Sequence, residues 1–204
     1  RLQSPKDVGF DDFSKERYIS RDYHKKEVKN LWMKVWQMAC REEEIPDPGD
    51  HLRYDIAGVS FIVVRQLDGG IKTFPNACLH RGRMLKEFDG HASELRCPFH
   101  GFGWNLDGCL KDVPARWDFP QIKDEDWSLP DIPTATWAGF VFINPDQECD
   151  PFEPFIRELA DQFERWDLGS LYIQAHVARK LPCNWKIAQE AFCEAYHVNG
   201  THPQ

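Results

Sequence analysis

Residues 78–82 read CLHRG and residues 97–101 read CPFHG. Each short stretch carries one cysteine and one histidine, Cys78-x-His80 and Cys97-x-x-His100, with sixteen residues between His80 and Cys97. Turn formers surround them: Gly82, Pro98, Gly101 and Gly103. Glycine lets a backbone approach an inorganic group closely and aim N–H groups at sulfur. Thiolate suits zinc or an iron–sulfur cluster, and imidazole suits zinc, copper, iron or nickel. Two turn-rich loops thus offer four metal ligands of two kinds.

Three readings meet these residues. A structural zinc can take two Cys and two His, but zinc motifs more often put both cysteines in one hook and both histidines in the other. A Rieske [2Fe–2S] centre asks for the mixture present here, because one iron takes two Cys and the other takes two His. Neutral imidazole in place of thiolate leaves such a cluster less negative, so it accepts an electron more easily. The third reading is unrelated core cysteines and surface histidines.

The rest of the chain sets the frame. Its 204 residues hold one large domain or two small ones, with 42% hydrophobic and 28% charged residues, a soluble globular balance. A net charge of −8 argues against nucleic acid or an anionic membrane as main partner. No apolar run is long enough to span a bilayer. The opening RLQSPKDVGF has no apolar core of the kind a signal peptide needs, and it lacks Met, which points to a trimmed chain. Seven cysteines, an odd number in a chain of this size, fit a reducing cytoplasm better than a disulfide framework. Cys40, Cys109, Cys149, Cys183 and Cys193 are read as small buried residues.

Periodicity predicts a helix over 20–39, with Val28, Leu31, Trp32, Val35, Trp36 and Met38 on its apolar face and Ser20 as cap. A β region follows, with a hairpin around DGG at 68–70 and a strand in GFVFINP at 139–145. Phe155, Ile156, Leu159, Phe163 and Trp166 then recur at helical spacing, behind Pro151 and Pro154. A last helix is expected to begin near Asn184 and carry WKIAQEAFCEAYHV. On it, Glu190, Glu194 and His197 share a face at i, i+4 and i+7. His202 joins His197 on one ion only if the helix ends or bulges between them, and Asn199–Gly200 is a suitable breaker. Non-heme iron(II) takes two His and a carboxylate, leaving open positions for O2. Glu190 lies about 10 Å along a regular helix from His197, too far to be that carboxylate. Glu194 is one turn away, and a Glu-x-x-His pair can bind a metal.

CLHRG…CPFHGFGW resembles the Rieske domain of Rieske non-heme iron oxygenases, and NWK…E…E-A-Y-H-x-x-x-x-H resembles their mononuclear-iron motif, in the family's order. The respiratory-chain Rieske class carries an extra cysteine in each hook, where this chain has Arg81–Gly82 and Pro98–Phe99. The resemblance implies the N-terminal half of a catalytic α subunit of the ring-hydroxylating oxygenase family. It implies an α+β fold, with a small all-β Rieske domain inserted in a catalytic domain of antiparallel sheet plus helices, the latter partly present. The expected parts are an N-terminal helical segment at 1–40, the Rieske domain at 41–150 and the start of the catalytic domain at 151–204.

By the same resemblance, Cys78 and Cys97 hold the inner iron, His80 and His100 the outer one, and His197 and His202 the mononuclear Fe(II). The third ligand is a carboxylate further along than this chain runs. Glu194 stands where the family has Asp, bridging the iron histidine to a Rieske histidine of the neighbouring subunit, here His197 to His100. Glu also occurs there in the branch acting on quaternary ammonium compounds, which usually has Asn where Ala191 stands. Glu190 is read as support for the helix, and Trp185 and Tyr196 as packing residues. O2 is the expected co-substrate, with electrons from NAD(P)H through a reductase and in some members a ferredoxin. The expected assembly is a homotrimer or α3β3 in the cytoplasm, and the product a hydroxylated, cis-dihydroxylated or demethylated aromatic or other cyclic molecule. The alternatives are a quaternary-ammonium monooxygenase of the same family and a stand-alone Rieske electron carrier.

Overall fold

The computed structural model describes residues 12–202. The opening stretch read above for signal character lies outside these residues. The described residues form two compact units, residues 28–174 and a second that joins 12–27 with 175–202.

The larger unit holds ten strands. They are β1 (Gln37–Arg41), β2 (Asp50–Ile56), β3 (Val59–Arg65), β4 (Ile71–Pro75), β5 (Gly90–His91), β6 (Leu95–Arg96), β7 (Gly103–Trp104), β8 (Leu110–Asp112), β9 (Thr134–Trp137) and β10 (Phe140–Ile143). They form three antiparallel sheets, ordered β1-β10-β9, β4-β3-β2-β5 and β6-β7-β8. The expected DGG hairpin joins β3 to β4, with Arg65 opposite Ile71 and the Gln66 N–H donating to the Gly70 carbonyl at 2.8 Å. Two further hairpins turn through Ala57–Gly58 and Ala138–Gly139, all four residues at positive φ, the two-residue geometry that matches strand twist.

Strand β3 separates two cores, because its alternate side chains face opposite ways. Ile62 and Val64 join Phe74, Leu85, Leu95, Phe102, Trp104, Leu106 and both hook cysteines, Cys78 and Cys97. Phe61 and Val63 join Cys40, Ile45, Val141 and Ile143. A third cluster, Phe142, Phe152 and Ile156, seats the helix Phe152–Phe163. That helix buries Phe152 and Ile156, leaves Phe155 and Leu159 exposed, and ends before Trp166.

The helix expected over 20–39 is replaced by shorter pieces. Helix α1 (Glu16–Ile19) and α2 (Arg21–Glu27) are separated by Ser20, whose Oγ accepts the Tyr23 N–H at 3.2 Å as the expected cap. One π-helical turn, Val28–Trp32, follows, and Gln37–Arg41 is strand β1. The cause is long-range pairing. Gln37 to Arg41 lie against Ile143 to Phe140, with an irregularity between Met38 and Cys40 that leaves Gln37 and Cys40 buried and Met38 exposed. Cysteine burial also departs from expectation: Cys40 is buried, Cys149 half-buried, and Cys109, Cys183 and Cys193 are exposed. The last three occupy turns and loops.

With the Phe152–Phe163 helix as α3, the smaller unit ends in α4 (Trp185–Glu190) and α5 (Tyr196–Thr201). The single helix expected there is broken at 191–195, so Glu190, Glu194 and His197 do not share one helical face. Asn199–Gly200 does not break the chain either. Helix α5 runs through it and ends at His202, whose φ of −124° and ψ of 64° leave the helical region. Among the described residues no helix is long and apolar enough to cross a membrane.

Candidate functional site

The two hooks close in the same way. In the first, the Cys78 N–H donates to the Arg83 carbonyl (2.8 Å) and the Gly82 N–H to the Cys78 carbonyl (2.7 Å). In the second, the Cys97 N–H donates to the Phe102 carbonyl (2.8 Å) and the Gly101 N–H to the Cys97 carbonyl (3.0 Å). Each hook returns through a glycine at positive φ, +70° at Gly82 and +79° at Gly101, a region where a side chain is strained. The repeated closure is why each motif ends in glycine four residues after its cysteine.

The hooks pair their ligands by type. The rings of His80 and His100 meet edge to face with centroids 4.9 Å apart. The thiols of Cys78 and Cys97 are close enough to act on each other electrostatically, and the nearby N–H groups of His80 and Arg81 favour a thiolate at Cys78. Both cysteines are buried, whereas His80 is half-buried and His100 exposed. Burial pushes the Cys78 thiol up, and the Cys97 thiol beside it adds to this. Burial first, then the neighbouring His100, holds the His80 imidazole below its ordinary value, so the ring favours the neutral form that binds metal. Among the described residues no three His, Cys, Asp or Glu side chains gather around a single point. Two thiols inside and two imidazoles outside instead form a donor set for a two-iron cluster.

Neighbouring side chains hold this arrangement. Phe102 stacks on His80 at 4.8 Å and 15°, and Phe99 lies 3.8 Å from His100. Buried Asn76 staples the first hook: its Oδ1 accepts the N–H groups of Leu85 (3.0 Å) and Lys86 (2.9 Å), and its Nδ2 donates to the Lys86 carbonyl (2.7 Å) and Ser60 Oγ (3.0 Å). Arg96 braces the second: its guanidinium donates to the Gly101 carbonyl (2.6 Å), Asp112 (3.0 Å) and Glu94 (2.5 Å). Arg96, then Lys111, holds the Glu94 carboxyl down to about 2. Sequence reasoning missed Asn76 and Arg96. The available signal was position, since one stands two residues before Cys78 and the other immediately before Cys97.

The smaller unit brings His197 and His202 together, with ring centroids 5.7 Å apart at 78°. Glu194 organises the approach. One carboxylate oxygen accepts the N–H groups of Tyr196 and His197 (3.2 Å for the latter), and the other meets His197 Nδ1 at 2.6 Å. An Nδ1–H donated to this carboxylate leaves Nε2 as the ring nitrogen free to ligate. The His197 ring, with the His197 and Tyr196 N–H groups, holds the Glu194 carboxyl below the usual glutamate range. Glu190 lies apart from the two histidines in role, accepting the Tyr18 hydroxyl at 2.8 Å. Trp185 is half-buried, and Tyr196, expected to pack, is 89% exposed.

Comparison with known proteins bears on both halves. Residues 35–123 match the Rieske [2Fe-2S] domain, and residues 157–204 match the ring hydroxylating alpha subunit (catalytic domain). Over 200 residues the chain is 34% identical to the large oxygenase component of salicylate 5-hydroxylase from Ralstonia sp., covering 91% of this chain and 47% of that protein. It is 31% identical over 191 residues to chlorobenzene dioxygenase subunit alpha from Cupriavidus sp. (strain PS12), covering 90% and 42%. The crystal structure of a quaternary ammonium Rieske monooxygenase in complex with L-carnitine superposes with a TM-score of 0.87 at 27% identity, covering 94% of this chain and 55% of that one. The chain spans about half the length of the curated relatives it matches. Its two domains, in this order and with this likeness, make it a member of the Rieske non-heme iron oxygenase α-subunit family.

Proposed function

We propose that the chain is the electron-receiving and oxygen-activating part of an oxygenase that hydroxylates, cis-dihydroxylates or demethylates an aromatic or other cyclic small molecule. Cys78 and Cys97 hold the inner iron of a [2Fe–2S] cluster, and His80 and His100 the outer iron. His197 and His202 are two of the ligands of a mononuclear Fe(II). When bound, the cluster supplies single electrons and the second iron supplies open positions for O2. NAD(P)H is the electron source, through a reductase and in some arrangements a ferredoxin.

The observation that carries this reading is the pairing by type at the hooks, thiol with thiol inside and imidazole with imidazole outside. The protein's own groups then divide the work. Arg81 and His80 N–H groups stabilise negative charge on the Cys78 sulfur. The exposed edge of His100 offers the way in or out for an electron. Glu194 keeps the Nδ1 proton of His197 in place, and it is the residue that would bridge to His100 of a neighbouring subunit in a ring assembly.

One observation favours a narrower reading. Glutamate at position 194, together with the likeness to the L-carnitine complex, supports turnover of a quaternary ammonium compound. Assays with L-carnitine and with salicylate or chlorobenzene separate the two.

The decisive experiment on the complete protein measures iron, acid-labile sulfide and the electron-resonance spectrum. His202→Ala should keep the Rieske spectrum and lose the iron in excess of sulfide, together with turnover. A parent protein with no iron beyond its sulfide would leave an electron carrier and overturn the oxygenase reading. A colourless zinc protein would overturn the cluster as well.

A further inference from the structure

Lys186 stands on the first turn of α4, five residues ahead of the loop that carries Glu194, and it is mostly buried. Its ammonium meets Glu27 Oε1 at 2.5 Å, with the two side chains 14% and 9% exposed. Three aromatic rings surround it: Trp185, Tyr23 and Tyr18, with centroids 5.0, 5.5 and 5.7 Å from Nζ. Such a ring of aromatic faces is the kind of cage that takes an alkylammonium ligand. Here the chain's own lysine fills it.

Further bonds tie the same two segments. Asn184 caps α4 by accepting the Lys186 N–H (3.0 Å), and its Nδ2 donates to the Tyr18 carbonyl (2.9 Å). At the other end of α4, Glu190 accepts the Tyr18 hydroxyl. Both ends of this short helix are therefore fixed to residues 18–27. Past α4 the backbone has no slack: Phe192 N–H donates to Gln189 (2.9 Å), Cys193 N–H to Glu190 (3.0 Å), and Glu194 then caps α5. Burial alone would raise the Glu27 carboxyl, but hydrogen bonds from Lys186, His24 and Trp185 outweigh it and hold it below its ordinary value.

We infer that Lys186, gripped by Glu27 inside the Tyr18–Tyr23–Trp185 ring, is a positioning residue for the mononuclear iron, setting where α4 and hence the His197–His202 pair stands. The inference rests on the proposed function. A buried ion pair is a costly way to hold two segments together, and its best-attested use is to fix one register among several. Without it α4 keeps only its two ties to Tyr18, and any shift of the helix would carry both histidines with it.

The test uses the complete protein, stripped of its mononuclear iron and titrated with Fe(II), with the electron-resonance signal of the ferrous nitric-oxide adduct as readout. Lys186→Met keeps the stem and removes the charge. It should weaken Fe(II) binding by about tenfold or more, alter the adduct signal and leave the Rieske spectrum and sulfide content unchanged. Glu27→Gln, nearly isosteric, should act in the same direction and serves if the methionine variant does not fold. Lys186→Arg, which keeps the charge and stacks on aromatic faces, should bind Fe(II) within about threefold of the parent. Parental binding and an unchanged signal in Lys186→Met and Glu27→Gln would overturn the inference. So would equal losses in the methionine and arginine variants. Absence of any second iron from the parent would instead overturn the proposed function on which the inference stands.

Discussion

Asn76→Ala is the sharpest probe of the hooks, because one side chain satisfies several backbone groups at once. Asn76 is 4% exposed and so is Leu85, whose N–H would lose its only side-chain acceptor among the described bonds. A fully buried orphan of this kind costs about 1–3 kcal/mol. The Lys86 N–H and carbonyl would also be released, but Lys86 is half-buried and water can replace part of that loss. The sum is about 3 kcal/mol, which in a domain of this size lowers the unfolding midpoint by roughly 6–12 °C. Thermal unfolding, followed both by far-ultraviolet dichroism and by the visible absorption of the cluster, gives the measurement. The visible signal should be lost at or before the backbone signal, since residues 76–86 contain the first hook. Asn76→Asp keeps the acceptor for the Leu85 and Lys86 N–H groups but sets a carboxylate oxygen against the Lys86 carbonyl, and should also fall. A midpoint within about 2 °C of the parent in Asn76→Ala would refute the stapling argument.

Other outcomes follow from the same structure. Cys78→Ser or Cys97→Ser should abolish the Rieske visible and electron-resonance spectra; their retention in both variants would remove these residues from the ligand set. Glu194→Gln keeps the length but not the charge that holds the His197 proton, and should retain full iron and sulfide while slowing single-turnover reoxidation of the cluster by about 100-fold. Loss of the second iron in that variant would make Glu194 a ligand. The Glu27 carboxyl lies below its ordinary value of 4.5 when folded, so its contribution to stability is present above that pH and is lost as pH falls through the lower folded value. In metal-free protein the denaturation midpoint should drop more steeply over that acid range than in Glu27→Gln, and parallel curves would contradict the pairing.

Local signals were readable from sequence wherever a short motif dictated its own geometry. The hooks announced themselves through Cys, His and Gly at fixed spacing, the β3–β4 hairpin through DGG, and the α2 cap through Ser20. Failures came where a distant partner decided the outcome. Residues 35–38 carry a helical period, yet the edge of β10 recruits Gln37–Arg41 as a strand. The run AFCEA at 191–195 has ordinary helix formers, but Glu194 turns back to cap α5 and ends the continuity. His197 and His202 still meet, by a different path from the break expected at Asn199–Gly200. Asn76 was illegible for the same reason: its partners are nine and ten residues further on and across the sheet at Ser60, and no period encodes them.

The two hooks share one closure but not one environment. Asn76 fastens the first from within, through neutral hydrogen bonds shielded from solvent. Arg96 fastens the second from outside, through charges to Glu94 and Asp112 with side chains 22–50% exposed. Mobile ions screen exposed charges and hardly reach buried amides. Rising ionic strength therefore weakens the Arg96 brace beside His100 more than the Asn76 staple beside His80. The side of the hooks that a charged redox partner would approach thus has one brace that salt reaches and one staple that it does not.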